Sequence, residues 1–318
     1  MSKTDWDAER RSTEDLLGFR VSSYEKAMAA AEEQRYKEAY EIIMEALMPR
    51  TPDELYNWGV AYYNGHGVEK DISSALEWFE EADKVGSGSA SRALGLCYLY
   101  GNGVEKNLEL AAKYMTRGAE ADNAEAQYNL GMMYSHGEGV EKNPTEALKW
   151  FEKSAKHFYE RGRIAAANMY FRGKDIPRSF KKAWSLLYRY TYSNSDIGEG
   201  HYYDAQCLLG MMYLHGYGTS QDYEKAEACL KLAADHGDSE AQFWLGMMYY
   251  SGKGVPQDYN AALSWFQKSK ENGFEQAVEL MKSSDKRNFI KSEWEKAEQE
   301  AEEAREAEND KNAGEDEE

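Results

Sequence analysis

The chain has few cysteines, few prolines and no long apolar run. Its 318 residues include 3 cysteines and 5 prolines. Cys97, Cys207 and Cys229 lack metal-ligand or redox spacing, which excludes a disulfide framework and favours free thiols in a reducing compartment. No stretch approaches the roughly 20 apolar residues of a membrane-spanning helix. The first twenty residues also lack the apolar core of a signal peptide. We therefore expect a soluble cytoplasmic protein.

Basic residues are also scarce relative to acidic ones. Lys and Arg number 38 against 57 Asp and Glu, a formal net charge of −19. Residues 285–318 contain 14 acidic and 6 basic side chains, so −8 of this charge lies there and −11 lies elsewhere. Nucleic acids and anionic membranes attract basic surfaces. The charge therefore argues against both as partners.

One segment of about 36 residues is repeated along the chain. Its five clear copies are WGVAYYNGHGVEKD (58–71), LGLCYLYGNGVEKN (94–107), LGMMYSHGEGVEKN (130–143), LGMMYLHGYGTSQD (209–222) and LGMMYYSGKGVPQD (245–258). A sixth, divergent copy is centred on Ala167, where the others have a glycine. Such self-similarity means that each unit buries its apolar face against its neighbours. The sequence predicts one elongated all-helical domain, and such solenoids usually bind rather than catalyse.

Each repeat is predicted to be a helix, a glycine loop and a second helix. The loop carries paired glycines, as expected where the chain needs a positive φ to reverse direction. Sixteen residues after the glycine of the first helix comes a small residue that would let the helices approach closely: Ala75, Ala111, Ala147, Ala183, Ala226 and Ala262. Twelve residues after that glycine comes a strong N-cap: Asp71, Asn107, Asn143, Ser179, Asp222 and Asp258.

The elements L-G-x-x-Y, G-x-G-V, D/N-x-x-x-A and W-F (as in Trp78-Phe79) resemble Sel1-like repeats, relatives of the tetratricopeptide repeat. The resemblance covers about 53–273. It implies a right-handed α-solenoid that acts as an adaptor in protein complexes.

The predicted organisation has five parts, and the C-terminal part contains an apolar stripe. The stripe is Ile290, Trp294, Ala297, Ala301 and Ala304, at heptad spacing, which favours a capping helix and leaves self-association as an alternative. The parts are a polar arm (1–20), a tetratricopeptide-like helix pair (21–52), six repeats (53–273; the fourth, about 163–205, with an inserted turn at 191–203), capping helices (274–308) and a disordered acidic tail (309–318).

Catalytic and metal-binding motifs are nearly absent. Ser23/Lys26, Ser179/Lys182 and Ser283/Lys286 match Ser-x-x-Lys, the pairing that β-lactamases use, but the companion elements are missing. No histidine has a second ligand at metal-binding spacing. We expect no enzyme, no cofactor and no metal. The alternative is an enzyme like the penicillin-binding members of the Sel1-like family, whose paired cysteines this chain lacks.

The leading function is a scaffold that binds a protein or peptide in a groove along the first helices. The second methionine of each Met-Met pair is predicted to be buried, and the first to face the groove, since tyrosine and methionine suit peptide binding. The alternative is that these side chains only pack against the adjacent helix. The predicted groove residues are Tyr63, Tyr100, Met132, His136, Asn168, Phe171, Met211, His215, Met247 and Tyr250.

Overall fold

The computed structural model describes residues 51–188 and 199–315, and all regular elements within these ranges are α-helices. Twelve of them form six consecutive pairs. The helices are α1 (Pro52–Asn64), α2 (Ile72–Lys84), α3 (Gly88–Tyr100), α4 (Leu108–Glu120), α5 (Ala124–His136), α6 (Pro144–Lys156), α7 (Glu160–Arg172), α8 (Phe180–Leu187), α9 (Glu199–His215), α10 (Tyr223–Asp235), α11 (Ser239–Ser251), α12 (Tyr259–Glu271), α13 (Glu275–Lys282) and α14 (Lys286–Glu315).

The chain divides into two compact units. Unit 1 (Met1–Ala121) includes α1–α4, and unit 2 (Asp122–Glu318) includes α5–α14. Within each unit a first helix packs on the second helix of its own repeat, and that second helix packs on the next first helix. This is the stacking expected of a repeat array, in which each unit buries its apolar face against its neighbours.

The predicted N-caps are confirmed in all six repeats. Each cap residue has extended backbone, and its side-chain oxygen accepts a hydrogen bond from a backbone N–H in the first turn of the second helix. Asn107 Oδ1, for example, accepts from Leu110 N at 3.0 Å. A side-chain oxygen here satisfies a donor that the helix itself cannot pair.

The small residues predicted at helix contacts are also confirmed. The six alanines are fully buried, and the glycines of the first helices are buried as well. A Cβ built on Gly131 would lie 2.6 Å from Phe151 Cε1 and 3.2 Å from the carbonyl oxygen of Ala147. Gly131 thus leaves room both for the backbone at Ala147 and for the side chain of Phe151, twenty residues later in the sequence.

The loop of each clear repeat reverses at two glycines, as predicted. Both have a positive φ in every described copy, for example 75° at Gly101 and 76° at Gly103. In the fourth repeat only Gly173 remains, with a φ of 58°, because the second position is Asp175. The loop still reverses, and Ser179 still caps the next helix.

Two predicted boundaries are wrong, and two further predictions lie outside the described residues. Residues 199–203, assigned to an inserted turn, begin α9, where the Tyr203 ring stacks on His236 with centroids 3.4 Å apart. The tail assigned as disordered from 309 is helical as far as Glu315, since a helix nucleated by packed residues propagates at little cost. The arm (1–20) and the helix pair predicted at 21–52, apart from 51–52, lie outside the described residues.

Candidate protein-binding groove

The ten predicted groove residues are distributed over both units. Tyr63 and Tyr100 lie on unit 1, where Tyr100 is 68% exposed and Tyr63 is half-buried and accepts a hydrogen bond from Asn102 Nδ2 at 3.1 Å. The other eight belong to unit 2, which holds both the open and the covered surface described below. The side chains of unit 2 differ sharply in exposure.

An open cleft of about 500 Å³ lies among the first helices of unit 2. We call it the open cleft. Helices α5, α7 and α9 and the start of α11 provide its walls. Of the predicted residues, it includes Met132 and Asn168. Its lining is Tyr128, Met132, Arg161, Ile164, Ala165, Asn168, Arg172, Asp204, Cys207, Leu208, Asp238 and Glu240.

The floor of the open cleft is apolar and its rim is charged. Ile164 and Leu208 are buried at the floor, Met132 is half-buried, and Asp204 is exposed at the rim. The thiol of Cys207 is also buried, and burial raises its pKa well above the usual range. Because a protonated thiol is a poor nucleophile, Cys207 acts here as a small apolar residue.

An ion pair spans one side of the open cleft. Arg172, the last residue of α7, binds Glu240 in the first turn of α11 through both terminal nitrogens, with Nη1 to Oε1 at 2.8 Å. Hydrogen bonding to Glu240 raises the pKa of Arg172. Arg172 Nε also donates to Asn168 Oδ1 at 3.3 Å. A bidentate pair of this kind fixes geometry as well as adding energy, so it holds repeats four and six of this unit at a set separation.

Four predicted groove residues are buried, so their prediction as open groove residues is wrong. Phe171 (6% exposed), Met211 (3%), His215 (3%) and Met247 (0%) belong to the core of unit 2. The same core contains Ile290 and Trp294 of α14. The alternative, that such side chains pack against neighbouring helices, holds at these positions. The second methionines, Met133, Met212 and Met248, are buried as predicted.

The C-terminal helix α14 covers this part of the surface. The Trp294 ring lies 5.8 Å from that of Trp244 on α11 and 5.4 Å from that of His215 on α9, between centroids. Tyr217, directly after α9, donates its hydroxyl to the carbonyl oxygen of Ala297 at 3.0 Å. We call the surface of repeats four to six beneath α14 the covered groove.

Two ion pairs flank α14 at successive positions. Lys253, after α11, contacts Glu298 at 2.7 Å, and Arg178, before α8, contacts Glu300 at 3.2 Å. Between Trp294 and Glu300, α14 thus contacts repeats five and six at Trp294, repeat five at Ala297, repeat six at Glu298 and repeat four at Glu300.

His215 is enclosed beneath α14. Within the part of the chain that the structure describes, neither ring nitrogen has a hydrogen-bond partner, and the rings of Trp244, Tyr217 and Trp294 surround it at 4.7, 5.1 and 5.4 Å. Burial, and secondarily the charge of Lys253, lowers the pKa of His215 to about 3. His215 is therefore neutral at physiological pH.

The remaining predicted residues lie at the edges. His136 is exposed, and its Nδ1 lies 2.9 Å from the carbonyl oxygen of Met132 in its own helix. Tyr250 is half-buried, and its ring contacts that of Tyr259 with centroids 5.2 Å apart. Asn168 is exposed beside Arg172.

Sequence reasoning missed both the Arg172–Glu240 pair and the placement of α14. The stripe at Ile290, Trp294, Ala297 and Ala301 was the available signal, and all four side chains are buried. The stripe shows that one face of α14 is packed, but it does not identify the surface that receives it.

The Ser-x-x-Lys matches within the described residues have local structural roles. Ser179 Oγ caps α8 by accepting from Lys182 N at 3.4 Å. Lys286 Nζ donates to the carbonyl oxygen of Ser283 at 2.9 Å. Ser23 and Lys26 lie outside the described residues. Across 51–188 and 199–315 no group of three His, Cys, Asp or Glu is placed to hold a metal ion. None of the described helices combines the length and apolar character needed to cross a membrane.

Comparison with known proteins identifies one family and a number of similar solved structures, including the following two. The Sel1 repeat matches residues 55–82, 88–123, 124–157, 162–189, 204–238 and 239–274. A protective antigen present in uropathogenic Escherichia coli strains, displaying an SLR fold, is 24% identical with a TM-score of 0.63, over 92% of this chain and 64% of that one. A Sel1 repeat protein from Oxalobacter formigenes is 29% identical with a TM-score of 0.57, over 86% and 78%.

The chain thus spans just under two thirds of the length of the Escherichia coli protein. None of the curated proteins matches it. The matched segments coincide with the six helix pairs, and the predicted fold class, an all-α solenoid of such pairs, is confirmed.

Proposed function

The chain belongs to the Sel1 repeat family, whose members are commonly protein-interaction scaffolds, and we propose that it is a non-catalytic scaffold that binds another protein in the open cleft. The observation that carries this proposal is the cleft itself. It is built by side chains from four first helices of unit 2 and holds about 500 Å³.

The lining suits the side chain of a peptide anchor. Clefts of several hundred Å³ with an apolar floor and a few polar groups are typical binding sites. Ile164 and Leu208 provide the floor, and Tyr128 and Met132 form one wall. A rigid aromatic and an adaptable thioether are side chains that binding surfaces favour.

The occupant that fits is an extended segment with one large apolar side chain and a basic residue close to it. Three carboxylates (Asp204, Asp238 and Glu240) and two guanidinium groups (Arg161 and Arg172) line the cleft, and the whole chain carries a net charge of −19. Charge complementarity to this acidic excess raises the rate of association and selects among partners. The apolar anchor would enter between Met132 and Leu208, and the basic residue would lie near the carboxylates of the rim.

Site-specific photo-crosslinking tests this function. A photoreactive phenylalanine analogue replaces Met132 in the full chain, and a matched control replaces Leu263, which is 47% exposed on α12. The partner is identified by affinity capture and mass spectrometry and then purified. We expect crosslinks from position 132 and none from 263, mapping to an apolar residue beside a basic one. Binding of the partner with no crosslink at 132 would contradict the proposal.

The reducing cytoplasm is the compartment that we propose. Cys97, Cys207 and Cys229 are free, and the first two are buried. Buried thiols without disulfides are typical of cytoplasmic proteins. Thiol labelling in intact cells, before and after oxidant treatment, tests this location. We expect all three cysteines to be reduced before treatment, and cysteines already oxidised in untreated cells would contradict the proposal.

A further inference from the structure

The covered groove holds α14 in the manner of a ligand. Between 286 and 304 the buried side chains of this helix lie on one face, at Ile290, Trp294, Ala297 and Ala301. The opposite face is charged and exposed from Lys291 to Glu303. An amphipathic helix with anchors at spacings of four and three is the form in which many partners enter helix-binding grooves.

The groove offers matched chemistry to Trp294 and to two carboxylates of α14. Trp294 lies against Trp244, and the ammonium of Lys253 lies 4.0 Å from the centroid of the Trp294 ring. Lys253 and Arg178 pair with the carboxylates of Glu298 and Glu300. Without α14, the surface would present two cations flanking an aromatic floor. This arrangement selects an acidic helix that carries a large aromatic residue.

The fit of α14 is nevertheless incomplete. His215, 3% exposed, has two ring nitrogens without partners, and Trp294 Nε1 is also buried without one. A cavity of about 190 Å³ remains between His215 and Tyr217 of the groove and Glu293 and Lys296 of α14. Buried polar atoms without partners cost free energy, so a helix that supplied a hydrogen bond to His215 would bind better than α14 does.

We propose that the covered groove is a second protein-binding site, and that α14 is its displaceable internal occupant. The partner is an acidic amphipathic helix of another protein. It carries an aromatic residue at the position of Trp294, small residues at those of Ala297 and Ala301, and carboxylates facing Lys253 and Arg178. A polar side chain reaching His215 gives this partner its advantage. The site adjoins the open cleft at Arg172 and Glu240, which line both, but the proposal does not depend on the function proposed there.

Binding of a labelled helix to the full chain tests the proposal. The probe is a fluorescein-labelled peptide with the sequence of residues 286–304, together with a version in which the position of Trp294 carries alanine. The receptors are the wild-type chain and a variant with Glu298→Lys and Glu300→Lys. These changes reverse two surface ion pairs and leave the apolar packing intact, so the variant keeps its fold.

We expect the probe to bind the charge-reversed receptor at least tenfold more tightly than the wild type, because the internal helix competes less. The alanine probe loses that binding. A third receptor that also carries Lys253→Glu restores weak binding of the probe, because the groove then repels its carboxylates. Equal weak binding of both probes to all receptors would overturn the proposal.

Hydrogen exchange of the unmodified full chain provides a test that needs no variant. We expect amides at 290–301 to exchange at least tenfold faster than those of α9 and α11, as for a helix that opens locally. Exchange of α14 at the same rate as α9 would show a permanent cap and overturn the proposal. A dimer that exchanges α14 between copies would also overturn the assigned partner, since the occupant would then be this chain's own helix.

Discussion

The ring of Phe151 occupies the space that a side chain on Gly131 would need, with Cε1 2.6 Å from the position of its Cβ. The same relation recurs twenty residues apart in the other repeats, between Gly95 and Met115 and between Gly246 and Phe266, at 3.0 and 2.7 Å. In the fourth repeat the pair is Ala167 with Leu187. Leucine is found opposite this alanine and also opposite Gly210 of the fifth repeat, where Leu230 Cγ lies 2.6 Å from the Cβ position, whereas the phenylalanines and Met115 lie opposite glycine.

Replacing Gly131 by alanine should destabilise the protein although alanine is the better helix former. The helix gains about 1 kcal/mol at most, whereas overpacking typically costs about 1–3 kcal/mol. Urea unfolding of unit 2 measures the net loss. The double variant Gly131→Ala with Phe151→Leu copies the fourth repeat and should recover part of it. If the double variant loses as much free energy of unfolding as the two single variants lose together, the two positions are not coupled.

Removing an N-cap should cost about 1 kcal/mol. Asn107→Ala leaves the N–H of Leu110 at the start of α4 without its acceptor. Asn107→Asp is the control, since aspartate caps the equivalent helices in three other repeats. Thermal and urea melts should show a loss with alanine and almost none with aspartate; equal stability of all three chains would mean that the cap contributes nothing here.

The Arg172–Glu240 pair should couple two repeats energetically. Both groups are partly exposed, 45% and 17% for their side chains, so we expect a coupling energy of only about 1 kcal/mol despite the bidentate geometry. A double-mutant cycle with Arg172→Ala and Glu240→Ala measures it. Lys225 and Asp222, an exposed pair within a single helix start, provide a control pair that should couple less. A coupling energy near zero for Arg172 and Glu240 would show that this ion pair does not stabilise the contact between the two repeats.

Stability of unit 2 should fall as the pH is lowered from about 6.5 toward 3, in part through His215. Burial lowers the pKa of His215 to about 3 in the folded chain, whereas an unfolded histidine titrates near 6.5. Between these pH values the unfolded chain binds one more proton at His215 than the folded chain does. The free energy of unfolding is therefore unaffected by His215 above about pH 6.5, and it falls progressively as the pH is lowered toward 3.

His215→Leu should flatten this pH dependence. The charged groups near the ring all remain in the variant: Lys253 of the loop after α11, Arg172, Arg178 and Glu240 of the groove, and Glu293, Lys296 and Glu300 of α14. Melting temperatures at pH 7.5, 6, 5 and 4 compare the two slopes, and carboxylate titration contributes equally to both. If the melting temperatures of the two proteins depend on pH in the same way, His215 can be protonated in the folded chain.

The helix pairs, their caps and their contact residues could be predicted because they depend on local spacing. Asn107, Ala147 and Gly131 act within a single repeat, and one copy predicts the next. The groove could not be predicted in the same way. Met211 and His215 are covered through contacts such as that of Tyr217 with Ala297, 80 residues apart in sequence. A stripe on α14 shows that it packs, but several surfaces could accept it.

The placement of α14 also changes how unit 2 should come apart. An array in which each repeat touches only its neighbours opens one repeat at a time from its ends. A helix that contacts repeats four, five and six at once links non-adjacent repeats, so that losing any of them exposes apolar surface on the others. We therefore expect these three repeats to unfold as one cooperative block while α14 is docked, and to lose that cooperativity when a partner helix displaces it.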